Sequence, residues 1–254
     1  MQPALYHAQT EWTPFPGVLA VLAVLGLSVG LGIAFFLAGG VLSDPSLDWL
    51  ETDREMPQQV MLAGQLVIQL VSVLLIWWVA GWFGGDRDGV LALRAIPGGA
   101  ATVLKAFLLL SLISGTFTIF ALTFAREDIL TDLAPMWPLM QGEYWWLIGI
   151  VAVFGAPLSE ELVFRGFLQS ALANSAVGFW GAALLTNTAW TALHAGYTMT
   201  GLADVFIAGL IFSWVLWRTG SLWVPIICHG LYNGLIFLAL SVMDMPEGLP
   251  GTAF

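Results

Sequence analysis

Along this 254-residue chain the apolar residues run in long blocks, and polar ones gather in short breaks between them. A run of about 20 apolar residues is the length that crosses a hydrocarbon core of roughly 30 Å. The blocks predict seven spans, at 18–42, 60–83, 100–125, 144–170, 177–197, 202–217 and 221–242. Two breaks are acidic and turn-rich: SDPSLDWLETDREMPQQ after the first span, and REDILTDLAPMWPLMQGE, with Pro135 and Pro138, after the third. The other connections are short, which makes successive spans antiparallel neighbours. The expected fold is all-α, a polytopic transmembrane helix bundle of about seven spans with room for an eighth helix. It divides into a tail and three helices over 1–143, a helical core over 144–242 and a C-terminal tail over 243–254.

Composition sharpens this picture. The chain is 59% hydrophobic and only 9% charged, where soluble domains carry about 25% charged residues. A net charge of −10 without a basic stripe excludes nucleic acid as a partner and leaves the lipid bilayer. The N-terminal segment has no Lys or Arg, and the apolar run after it is too long for a signal peptide, so no cleaved segment is expected. Placing the N-terminus in the cytoplasm puts Arg87, Arg94, Lys105, Arg165 and Arg218 on or near the inner side, and Arg54 and Arg126 outside. Trp77, Trp78, Trp82, Trp145, Trp146, Trp214, Trp217 and Trp223 fall near span ends, where indoles anchor at the interface. Gly26 and Gly30 form a GxxxG pair suited to close helix packing.

The fourth block breaks the pattern. Its SEELVFR puts Glu160, Glu161 and Arg165 within six residues of an apolar helix. An ionisable group at membrane depth costs about 2.5–3.5 kcal/mol on insertion scales, so each needs a partner or water. Glu161 and Arg165 stand at i and i+4 with the carboxylate first, the favourable order for an ion pair. Arg165 also suits a snorkelling position at the inner end of its span. Glu160 points about 100° away and has no partner in its own segment. Of three histidines, His194 and His229 lie in apolar blocks. Asn187, Thr191 and His194 share one helix face, as do His229 and Asn233. Interhelical hydrogen bonding accounts equally well for Asn187 and Thr191. These parts suit hydrolysis: a carboxylate helped by His to take a proton from water, with Asn and the second His donating to an oxyanion. The same Glu and His suit a zinc ion with an open site, although no HExxH is present. Cys228 points away from His229 and reads as core. Gln65 and Gln69 form another i, i+4 pair; neither they nor Asp204 gain a role from sequence.

Glu160-Glu161-x-x-x-Arg165, then Trp190-x-x-x-His194, then His229-x-x-x-Asn233 resembles the CPBP (CAAX protease and bacteriocin-processing, or Abi) family of intramembrane proteases. RTGSLWVPIICHGLYN extends the resemblance, which covers about 144–240. It implies an intramembrane endopeptidase acting on peptide or lipidated-protein substrates. Glu160 would activate water, assisted by His194, with His229 and Asn233 at the oxyanion and Glu161 and Arg165 in support. Members are named metalloproteases, and some are argued to work without metal, so the implied cofactor is either a divalent ion such as zinc on His194 and His229, or none. Trp190 departs from the Phe usual in the second motif, a change expected to alter only packing. The rival expectation is a non-catalytic bacteriocin self-immunity or scaffolding protein. The compact, acidic chain suggests a bacterial cell membrane.

Overall fold

The computed structural model describes residues 5–43 and 58–244, and among these the secondary structure is helical, without strands. Most of the first acidic break, with Arg54, and the tail beyond Asp244 lie outside the described residues. Eight helices carry the architecture: α1 (Pro14–Ser43), α2 (Gln58–Ala80), α3 (Ala100–Phe124), α4 (Arg126–Leu133), α5 (Trp145–Ala173), α6 (Gly178–Ala192), α7 (Met199–Thr219) and α8 (Trp223–Val242). Six of them, all but α4 and α6, are long and apolar enough to cross a membrane. The chain is an integral, multi-pass membrane protein with an all-α bundle.

The fifth predicted span, 177–197, is the one that differs. Its helix is the 15-residue α6, about 22 Å long at 1.5 Å per residue, followed by tight turns through His194 and Tyr197. Thr198 then starts α7: its hydroxyl accepts from the Gly201 N–H at 3.2 Å, and Gly220, at φ 65°, closes that helix. Apolar periodicity cannot mark such a stop, because Leu193, Ala195 and Gly196 continue the greasy pattern through the turn.

α5 forms the middle of the bundle, and every residue from Glu161 to Leu172 is buried. The outer helices pack against it or each other and present Leu, Ile and Phe to lipid, as α3 does with Leu104, Leu108, Leu112 and Ile119. α1 lies along α2 with close approaches at Gly32, against Ile68 and the Gly64 carbonyl, and at Gly39, against Val60. A Cβ on Gly26 or Gly30 would meet nothing within 4 Å, so the expected GxxxG contact is not the one used. Gly32 and Gly39 stand seven residues apart, about two helical turns, and it is their side of α1 that meets α2.

The N-terminal tail packs at one end of the bundle. Leu5 and Tyr6 donate their N–H groups to the Trp217 carbonyl at 3.2 and 3.3 Å, and Asn174 Nδ2 donates to the Thr10 carbonyl at 3.0 Å. Burial pushes the Tyr6 phenol up to about 12, so it is buried neutral at physiological pH. The Ser221 hydroxyl donates to the Arg94 carbonyl at 2.7 Å, which brings the 81–99 connection to this same end. Arg165 is the exception to the basic grouping expected there. It is fully buried inside the bundle and does not snorkel.

Candidate active site

α5 carries two π-helical stretches, Ile150–Gly155 and Glu161–Leu168, flanking the short α-helical segment Ala156–Glu160. Wide turns of this kind leave backbone carbonyls to outside donors and recur at functional sites. Gln69 Nε2 donates to the Val151 carbonyl at 3.1 Å and Asn233 Nδ2 to the Ala152 carbonyl at 2.8 Å. Gln69 is therefore an interhelical fastener, while Gln65 is exposed.

Glu160 and Glu161 leave α5 in different directions and enter different settings. Glu161 is fully buried: its Oε1 accepts from Arg165 Nη1 at 3.2 Å and meets His229 Nδ1 at 3.0 Å. Arg165 Nη2 donates to Asn187 Oδ1 at 3.1 Å, and Asn187 Nδ2 donates to the Phe206 carbonyl at 2.8 Å. One chain of polar contacts thus ties α5, α6, α7 and α8. The expected Glu161–Arg165 pair is present, and its extension to His229 joins residues 68 apart in sequence. Gly209 stands against this network, because a Cβ there would overlap Asn187 Oδ1 and lie 2.5 Å from Arg165 Nη2. Gly209→Ala should therefore cost about 1–3 kcal/mol, as overpacking does, read as a lowered unfolding midpoint in detergent.

Glu160 is only partly buried and makes no ion pair among the described residues. Its Oε2 accepts from Trp190 Nε1 at 2.7 Å. The Trp190 ring meets those of His194 and His229 edge-on, at centroid distances of 5.1 and 5.7 Å. The Arg165 guanidinium lies 4.0 Å from the Trp190 ring centroid, and Phe212 stacks on His229 at 4.8 Å. Trp190 on α6 bonds Glu160 on α5, and His194 lies in the turn just beyond the end of α6, its Nδ1 back on the Trp190 carbonyl. Three of the anticipated site residues, Glu160, His194 and His229, thus surround one indole, and no hydrogen bond joins them directly. Asn233 is on the same helix as His229, with its amide engaged at Ala152.

The histidine partners fix their tautomers. His194 Nδ1 lies 3.1 Å from the Trp190 carbonyl, which only accepts, so Nδ1 carries the proton. His229 Nδ1 likewise faces the Glu161 carboxylate. In their neutral forms both rings therefore present an Nε2 lone pair. Among the described residues no three His, Cys, Asp or Glu side chains cluster to hold a metal. His194 and His229 lack the third protein ligand that a catalytic zinc takes, and the residues do not fit such a centre. Cys228 is buried, with Sγ 3.8 Å from the Val103 carbonyl on α3. Cys228→Ala should leave activity unchanged and insensitive to thiol alkylation, measured as initial rates with and without reagent. Asp204, left open by sequence, accepts from the Tyr232 hydroxyl at 2.7 Å.

Trp190 is the residue that sequence reading undervalued. An aromatic in a greasy helix reads as packing, and only the fold shows its N–H aimed at a carboxylate 30 residues away.

Comparison with known proteins bears on the same part of the chain. Residues 142–235 match the family model described as type II CAAX prenyl endopeptidase Rce1-like. Over 76 residues the chain is 36% identical to an uncharacterized 24.3 kDa protein of Escherichia coli, covering 29% of this chain and 35% of that one. The chain thus aligns with about a third of that relative's length. It is also 24% identical over 184 residues to the UPF0177 protein YxdF of Lactococcus lactis, 70% of this chain and 96% of that protein. No solved structure matches. The matched segment, 142–235, is the one that carries the three motifs, and it is similar to the family that they resemble.

Proposed function

We propose that this chain is an endopeptidase that hydrolyses peptide bonds of membrane-associated or lipidated substrates at Glu160. One observation carries the reading: an acid without an ion-pair partner among the described residues, midway along a membrane helix, hydrogen-bonded to an indole whose ring also meets those of two histidines, one on α8 and one in the turn after α6. An ionisable group at that depth is a functional-site hypothesis by default. In the proposed reaction Glu160 takes a proton from a water molecule as the oxygen attacks the scissile carbonyl carbon. The His194 Nε2 lone pair accepts the water's second hydrogen bond and orients it. The tetrahedral oxyanion collects the Asn233 N–H not used by Ala152, and an Nε2–H from His229 when that ring is doubly protonated, with Glu161 shared between it and Arg165. Collapse breaks the C–N bond, and the proton held by Glu160 passes to the leaving amine.

The description of the matching family makes a prenylated CAAX peptide the first substrate to try. The proposed setting is a bacterial cell membrane with the N-terminus cytoplasmic. The test is cleavage by the purified protein in detergent of a panel containing farnesylated, acylated and unmodified peptides, with and without chelator. Cleavage that persists in chelator supports the reading. A folded protein that cleaves none of them favours the non-catalytic immunity or scaffolding role.

A further inference from the structure

We propose that Trp190 is a positioning residue: its indole N–H clamps one oxygen of Glu160 so that the other is left to take the proton from water. This rests on reading Glu160 as the base. A Glu side chain has three rotatable bonds, and a base must hold its oxygen near the reacting atom to within a fraction of an ångström. Nothing on α5 itself restrains Glu160, whose neighbour Glu161 is occupied by Arg165 and His229. The restraint comes from α6, through the 2.7 Å bond from Trp190 Nε1 to Oε2.

The clamp works because the indole cannot move. Trp190 is 3% exposed, with Arg165 stacked at 4.0 Å and the rings of His194, Phe212 and His229 meeting it at centroid distances of 5.1, 6.2 and 5.7 Å. Its N–H is therefore aimed by the packing of four helices. An indole N–H is a donor only, so it holds the carboxylate without competing for the water's proton, as a His or Tyr in the same place would. With Oε2 occupied, Oε1 is the oxygen free to act.

Trp190→Phe keeps an aromatic ring and removes the N–H. Its kcat should fall about ten- to a hundredfold, the range for losing a hydrogen bond to a charged group. KM should stay within about twofold, and the unfolding midpoint close to the parent's. Replacement of Trp190 by benzothienylalanine, which puts sulfur in place of the N–H, repeats the test with the indole shape kept, should the Phe variant fold poorly. The second readout needs no substrate: the indole 15N–1H resonance of Trp190, identified by its loss in the Phe variant. It should lie downfield in the parent and move upfield in Glu160→Ala. Unchanged kcat in the N–H-free variants, a rise in KM alone, or an indole resonance indifferent to Glu160→Ala would overturn the proposal. A parent that cleaves nothing in the panel sinks the protease reading and the base with it, while the indole shift still decides whether the clamp exists.

Discussion

Glu160→Gln should lower the proteolytic rate by at least about 10²–10⁴, the contribution of a positioned general base, while the protein expresses and unfolds like the parent. The separation of rate from stability follows from where the side chain sits. Glu160 is only partly buried, makes no ion pair among the described residues and engages one protein donor, Trp190 Nε1. The Gln amide oxygen can still accept that N–H, so shape and contact persist and the proton acceptor is lost. Initial rates on a cleaved peptide, set beside unfolding midpoints in the same detergent, measure both halves. A Gln variant with parental rate would remove Glu160 from the chemistry.

Arg165→Ala should act in the opposite order, on the fold first. Arg165 has no exposed surface, and it touches Glu161, Asn187 and the face of Trp190. Its loss leaves the buried Glu161 carboxylate with His229 as its one remaining partner and strands Asn187 Oδ1. Removing one member of a buried pair costs about 3–5 kcal/mol. Yield and unfolding midpoint should both fall, with activity lost as a consequence. Lys should rescue poorly, because a single ammonium cannot span two acceptors on different helices as the guanidinium fork does. Parental stability in the Ala variant would mean that the network is not what holds α5, α6 and α8 together.

Much of this was legible in the chain because membrane insertion imposes a simple grammar. Apolar blocks of about 20 residues mark α1, α2, α3, α5, α7 and α8 within a few residues, since every spanning segment must satisfy its backbone internally and cover itself in carbon. SEELVFR stood out for the converse reason, and the i, i+4 rule alone paired Glu161 with Arg165. What stayed hidden is long-range or geometric. The early stop of α6 is hidden because Leu193, Ala195 and Gly196 are as apolar in a turn as in a helix. The bond between His229 and Glu161 joins segments that no local pattern relates. Gly26 and Gly30 carry the packing motif, yet Gly32 and Gly39 make the contact, because a helix face is chosen by its partner. Arg165 read equally well as a surface cation, since sequence spacing does not report how far α5 continues beyond it. Trp190 looked like filler for the same class of reason: the direction of one N–H is a property of the assembled bundle.

The double duty of that indole has a consequence for how substitutions combine. One edge of Trp190 bonds the candidate base, and its face covers the guanidinium that neutralises Glu161. The two acids that leave α5 in different directions are therefore coupled through a shared wall, and changes at Glu160 and Arg165 will not sum. Residues in one contact network show interaction energies of about 0.5–3 kcal/mol in double-mutant cycles. For this chain that predicts epistasis between charge and chemistry. A lineage that altered the Glu161–Arg165–His229 chain would feel it in the geometry of Glu160, so the two halves of SEELVFR are constrained to change together.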